Sequence, residues 1–64
     1  MRLTVFWDRM NQQFGERYAQ SVAKDYVMAE LDGRTIEQAL ADGESAKRVW
    51  QAVVHTFDVP STLQ

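Results

Sequence analysis

Residues 45–57, SAKRVWQAVVHTF, decide the fold. At about 100° per residue, Ala46, Val49, Trp50, Val53, Val54 and Phe57 fall within one arc, while Lys47, Arg48, Gln51 and His55 fall outside it. The period is helical, and the result is one dry face and one wet face. A lone amphipathic helix cannot shield its apolar stripe, so the rest of the chain must be whatever covers it.

Upstream, Thr35 and Gln38 stand at capping-box spacing, and Ile36, Ala39 and Leu40 then face inward on a short helix from Ile36 to about Ala41. Gly43 stops that helix, and Ser45 caps the next. Asp32, Gly33 and Arg34 form the preceding turn, with Gly33 as the expected C-cap. Before it, Glu16 to Leu31 reads as a long central helix carrying Tyr18, Ala19, Val22, Ala23, Tyr26, Val27, Ala29 and Leu31, with Met28 on its polar side. The first helix opens at Leu3, with Thr4 as its N-cap, and Gly15 ends it. Leu3, Phe6, Trp7, Met10 and Phe14 share one face, and Val5 points away. After Phe57, Pro60 biases Val59 towards extended geometry; Val59 is expected to fold back on the core and residues 61–64 to fray.

The expected architecture is therefore all-α: a single domain over residues 1–64, built as a compact bundle of three longer helices plus one short helix, with a C-terminal half like a helix-turn-helix. The expected core comprises Leu3, Phe6, Trp7, Met10, Phe14, Tyr18, Val22, Tyr26, Leu31, Ile36, Leu40, Val49, Trp50, Val53 and Phe57. A chain of 64 residues has room for one core. Two Trp, two Tyr and three Phe set it well apart from disordered compositions.

Several function classes are disfavoured by composition. Without cysteine there is no disulfide or thiolate metal site, and the single His55 leaves no multi-histidine site. No cofactor is expected. MRLTVFWDR lacks the apolar run of a secretion signal and no stretch is long enough to cross a bilayer, so a cytoplasmic protein is expected, as a monomer or small homo-oligomer. The formal net charge of -2 is mixed in sign throughout, unlike the basic field of a dedicated nucleic-acid binder.

Catalysis finds little raw material. His55 sits on the wet face with no carboxylate one turn away, Asp8 with Asn11 and Asp25 with Glu30 read as solvated faces, and no phosphate loop or metal-ligand spacing occurs. A bundle of this size is also expected to lack a pocket of a few hundred Å³. The chain is therefore read as not an enzyme.

Two functional readings stay open. In the first, the chain is a non-catalytic module that binds another protein, with Arg9, Arg34, Lys47, Arg48 and Gln51 as the candidate interaction surface. In the second, Thr35 to Ala52 forms a DNA-associated helix-turn-helix, since Ala39, Gly43 and Val49 match that motif's packing positions and Ser45, Lys47 and Gln51 would face the groove. Against it, Gln38, Asp42 and Glu44 occupy positions the motif normally buries, and the two acids repel phosphate.

The ordered pieces LTVFWDRM, FGERYAQSVAKD, LDGRTIEQALADG, VWQAVV and a closing VP resemble a short actinobacterial family catalogued as a domain of unknown function. His55 departs from it, standing where that family often has cysteine. The resemblance implies a compact helical cytoplasmic protein without an assigned activity, encoded near the main recombinase and its regulator, and hence a link to DNA repair. Arg9, Asp25, Arg34 and Thr35 lie inside the matching pieces. Thr35 has its capping role, and Arg34 is expected to pair with Asp25 between the second helix and the turn.

Overall fold

The computed structural model describes residues 1–59, and the expected fraying of residues 61–64 lies outside them. Four α-helices follow one another: α1 (Leu3–Phe14), α2 (Glu16–Asp25), α3 (Ile36–Ala41) and α4 (Ala46–Phe57), with a 3-10 turn at Ala29–Leu31 between α2 and α3. The fold is all-α, three longer helices and one short, as the periodicity predicts. α1 packs against both α2 and α4, α3 touches α2 and α4, and the 3-10 turn rests on α4.

Local chemistry explains most of the boundaries. A single residue, Gly15, joins α1 to α2 with φ 83 and ψ 153, a conformation essentially restricted to glycine. Thr35 and Gln38 complete the capping box: the Gln38 amide donates to Thr35 Oγ1 at 3.2 Å, and the Thr35 amide donates to Gln38 Oε1 at 3.0 Å. Gly43, at φ 95, closes α3 by a Schellman arrangement in which the Glu44 amide donates to the Ala39 carbonyl and the Gly43 amide to the Leu40 carbonyl. The Arg48 amide donates to Ser45 Oγ, so Ser45 caps α4.

Two boundaries differ from expectation. Thr4 is not a cap, because α1 already begins at Leu3 with Arg2 at the N-cap position, and the Phe6 amide donates to the Arg2 carbonyl. More consequential is the end of α2. It stops at Asp25, not Leu31, and Tyr26 turns extended at φ -87 and ψ 114. Met28 and Arg34 then pair as an isolated antiparallel bridge around a turn in which Asp32 is left-handed at φ 58 and caps the 3-10 turn in place of Gly33. The Met28 carbonyl accepts from both the Leu31 and Gly33 amides, so the main chain of the turn satisfies itself without helix.

The break in α2 re-aims side chains. A continued helix would send Met28 to solvent; instead Met28 is 1% exposed and Leu31 fully buried. Tyr18, Tyr26 and Val27 become the exposed residues, at 61%, 46% and 58%, and Leu3 is half exposed on the first turn of α1. The core expected from periodicity therefore loses Leu3, Tyr18 and Tyr26 and gains Met28. Phe6, Met10, Val22, Leu31, Ile36, Val49, Trp50 and Val53 are buried as expected, with Trp7, Phe14, Leu40 and Phe57 packed partly buried against them. Ala19 and Ala23 are fully buried, the close approach to α2 that small residues permit. Val59 does fold back: it is buried, and its amide donates to the Val54 carbonyl.

Phe6 links the bundle's aromatic residues, with edge-on rings to Trp7 at 5.2 Å and to Trp50 of α4 at 6.1 Å. Phe57 joins rings at the other end of α4, edge-on to Phe14 at 5.0 Å and tilted against Tyr26 at 4.9 Å.

Candidate functional site

The wet face of α4 is ruled by its own periodicity. Lys47, Gln51 and His55 recur every four residues and form one row; Trp50 and Val54 form the row beside it. Together with Met1 and with Arg9 from α1 these residues line an open groove of about 740 Å³. The expectation that so small a bundle has no space of this size is therefore wrong. The groove is formed by surface side chains of two helices and needs no hollow in the core.

Its chemistry is one-sided. Arg9 and Lys47 are cations, Gln51 offers amide donors and an acceptor, and Val54 and the edge of Trp50 are apolar. No carboxylate, hydroxyl or thiol is among the lining residues. One carboxylate adjoins its lining: Glu30 of the 3-10 turn, whose Oε1 lies 3.5 Å from His55 Nδ1. His55 thus has a carboxylate neighbour that no spacing within α4 announces. Trp50 is 3% exposed, and its indole Nε1–H is buried without an acceptor among the described residues.

Three of the five residues read from sequence as an interaction surface, Arg9, Lys47 and Gln51, meet in this groove. The other two, Arg34 and Arg48, do not. Arg34 spans three elements: Nε donates to the Leu31 carbonyl at 2.8 Å, Nη1 to Asp42 Oδ2 at 3.0 Å and Nη2 to Glu44 Oε2 at 2.6 Å. Asp32 lies 3.7 Å from the same guanidinium, and Arg48 Nε donates to Glu44 Oε2 at 3.1 Å. Asp25 is not the partner of Arg34. The Met28–Arg34 bridge and the bond to Leu31 direct the side chain to the α3–α4 turn, where Asp42 and Glu44 wait. These arginines hold the fold's C-terminal half together.

The clasp shifts both partners. Hydrogen bonds from Arg34, then from Arg48, hold the Glu44 carboxyl below the ordinary carboxylate range, and bonds to Glu44 and then Asp42 raise the Arg34 guanidinium. A depressed carboxyl stabilises the fold above its unfolded value and loses that contribution as pH falls through the folded one. Wild type is therefore expected to lose stability as pH drops below about 4.3, the ordinary glutamate value, and Glu44→Gln to be less stable at neutral pH with a flatter acid limb. Urea midpoints between neutral pH and the acid limit measure this, and parallel pH profiles for the two proteins would refute it.

A second cleft of about 220 Å³ lies along α2 between Tyr18, Ser21, Val22, Asp25 and Tyr26. No cation is among its lining residues. Among the described residues no group of three His, Asp or Glu side chains is placed to hold a metal ion, and no helix is long and apolar enough to cross a membrane.

Comparison with family models matches residues 1–62 to the family described as "Protein of unknown function (DUF3046)". Neither the curated proteins nor the solved structures yield a match.

Proposed function

We propose that this chain, which belongs to the DUF3046 family, is a non-catalytic module that binds another protein through the groove between α1 and α4. The observation that supports the reading is the convergence of Arg9, Lys47, Gln51, Trp50 and Val54 on one open surface. Cation, amide and aromatic side by side is the mixture from which interface hot spots are drawn. A catalytic use is disfavoured by the same lining, which presents no hydroxyl or thiol nucleophile beside His55 and its neighbour Glu30. The setting proposed for this role is the cytoplasm.

Placing a photo-crosslinking phenylalanine analogue at Gln51 in native cells tests the reading. A discrete protein adduct is expected at Gln51 and not at Glu37, an exposed position on α3. Equal labelling at the two positions overturns it.

The second reading, a DNA-associated regulator with a link to repair, gains one observation. Asp42 and Glu44, the acids that spoil a phosphate-facing turn, are neutralised by Arg34 and Arg48. The same pairing engages those two arginines internally. With Arg9 and Lys47 both on phosphates, the salt dependence would have a slope of only about −1.8 in log affinity against log salt, at about 0.9 per phosphate, which is weak for a duplex binder. A nucleic-acid adduct at Gln51 would favour this reading over the first.

A further inference from the structure

We infer that a second copy of this chain docks on the exposed face of α2, in an antiparallel two-fold pairing that seats Arg17 of each copy in the other's cleft beside Tyr18, Asp25 and Tyr26. The inference stands apart from the groove between α1 and α4, since the two sites share no lining residue.

The cleft defines the chemistry of its occupant. Lined by Tyr18, Ser21, Val22, Asp25 and Tyr26, it offers two aromatic rings, a hydroxyl and a carboxylate, and no cation. Aromatic faces and a carboxylate both attract positive charge, and a guanidinium, planar and rich in donors, suits both. At about 220 Å³ the cleft falls below the range of about 300–1,000 Å³ typical of small-molecule pockets, so it suits a side chain. Asp25 is exposed and, among the described residues, in no ion pair.

The chain itself supplies the cation. Arg17 is likewise exposed and, among the described residues, in no ion pair. Arg17, Ser21 and Asp25 recur every four residues and form one ridge of α2. Its two charged ends are about 12 Å apart along the axis, too far to pair with each other. Against the same ridge of a second copy running the other way, with Ser21 beside Ser21, both ends match at once: each Arg17 meets the partner's Asp25. A two-fold interface requires this self-complementarity. The small side chain of Ser21 at its centre lets the two ridges approach.

The electrostatics of α2 argue the same way. Arg17 lies in the first turn, where the helix dipole favours acids, and Asp25 is the last residue, where it favours cations. Glu16 and Lys24, beside them, follow the rule. Arg17 and Asp25 oppose it, and an antiparallel neighbour compensates both. Tyr18, Tyr26 and Val27, exposed on or just after the same helix, add apolar surface for the partner to cover. Two ten-residue helices meeting along one face bury less than the roughly 800 Å² per partner of a standard interface, so a weak dimer is expected, in the micromolar range.

Sedimentation equilibrium of the full chain, from low micromolar to millimolar concentration, tests the inference. Wild type is expected to pass from monomer to dimer. Asp25→Arg and Arg17→Glu, each measured alone, are expected to weaken the dimer about tenfold or more, because each sets like charges against one another. An equimolar mixture of the two variants is expected to dimerise again, since opposite charges then meet at both ends. Each substitution brings its position into agreement with the helix dipole, so α2 persists, and far-UV circular dichroism of the dilute variants checks this. The inference is overturned if wild type stays monomeric at millimolar concentration, if either variant alone dimerises like wild type, or if the mixture does not recover. A monomeric wild type whose Tyr18 and Tyr26 resonances move on adding free arginine also overturns it, and assigns the cleft to a cation from elsewhere.

Discussion

Trp50→Ala is expected to remove most of the chain's net stability and leave it marginally folded at room temperature. Trp50 is the largest core side chain of α4, 3% exposed, and meets Phe6 of α1 edge-on at 6.1 Å. Truncating a buried tryptophan costs about 3–5 kcal/mol, and a domain of this length has a net stability of about 3–5 kcal/mol in all. One term runs the other way. Among the described residues the indole N–H has no acceptor, so its removal relieves a buried donor worth about 1–3 kcal/mol. The loss of volume between α1 and α4 still dominates, and the result should lie near the lower end of the range. Trp50→Phe separates the two terms: it keeps most of the ring, discards the donor, and is expected to melt cooperatively. Far-UV circular dichroism with urea titration reads both. A Trp50→Ala protein that unfolds cooperatively at the wild-type midpoint would remove α4 and its tryptophan from the centre of the fold.

The second large effect is expected at Met28→Ala. Read as part of a helix running from Glu16 to Leu31, Met28 lies on the polar side, and truncating a surface residue changes stability by only about 0.5 kcal/mol either way. In the structure it is 1% exposed within the core, where methionine-to-alanine truncation costs about 2–5 kcal/mol. For a chain of this size that lowers the melting temperature by about 10 °C or more. The main-chain bonds of Met28, to Arg34, Leu31 and Gly33, survive the change, so the measured loss reports the side chain. Tyr18→Ala is the control, because Tyr18 is 61% exposed and makes one edge contact, with Phe14 at 5.8 Å. If Tyr18→Ala proves the more damaging of the pair, α2 continues past Asp25 and the turn described here is wrong.

The same break in α2 shows where sequence reasoning ran out. Periodicity assumes that a helix continues until a glycine or proline stops it, and neither occurs between Gly15 and Gly33. What ends α2 at Asp25 is non-local. Extended Tyr26 and Met28 carry the chain into the core at Met28 and Leu31, and the self-satisfied turn over Met28–Arg34 compensates for the helical hydrogen bonds forgone. β-Branched and aromatic residues at 26 and 27, modest helix formers, are the only local hint. Arg34 followed from that break. Its expected pairing with Asp25 presumed a longer helix, and the real acids, Asp42 and Glu44, are eight and ten residues on, across a turn.

The candidate site was half legible. Lys47 and Gln51 lie four apart on the wet face of α4, so their adjacency could be read directly. That Arg9 of α1 faces them, and that Arg34 and Arg48 are engaged elsewhere, depends on how α1 and α4 cross and where the α3–α4 turn points. His55 was read as solitary, because its neighbour Glu30 comes from the 3-10 turn.

What the chain determined by itself is everything set within one or two turns of backbone. That includes the stripes of α1 and α4, the Thr35–Gln38 box, the Ser45 cap, the glycine conformations at 15 and 43, and hence an all-α bundle. Only the tertiary structure decided the length of α2, the burial of Met28, the acids that hold Arg34 and the cation-lined groove beside Trp50. The physical reason is range: hydrogen bonds and caps act between residues a few positions apart. Burial and ion pairing act between surfaces, and which surfaces meet is settled only when every helix is in place.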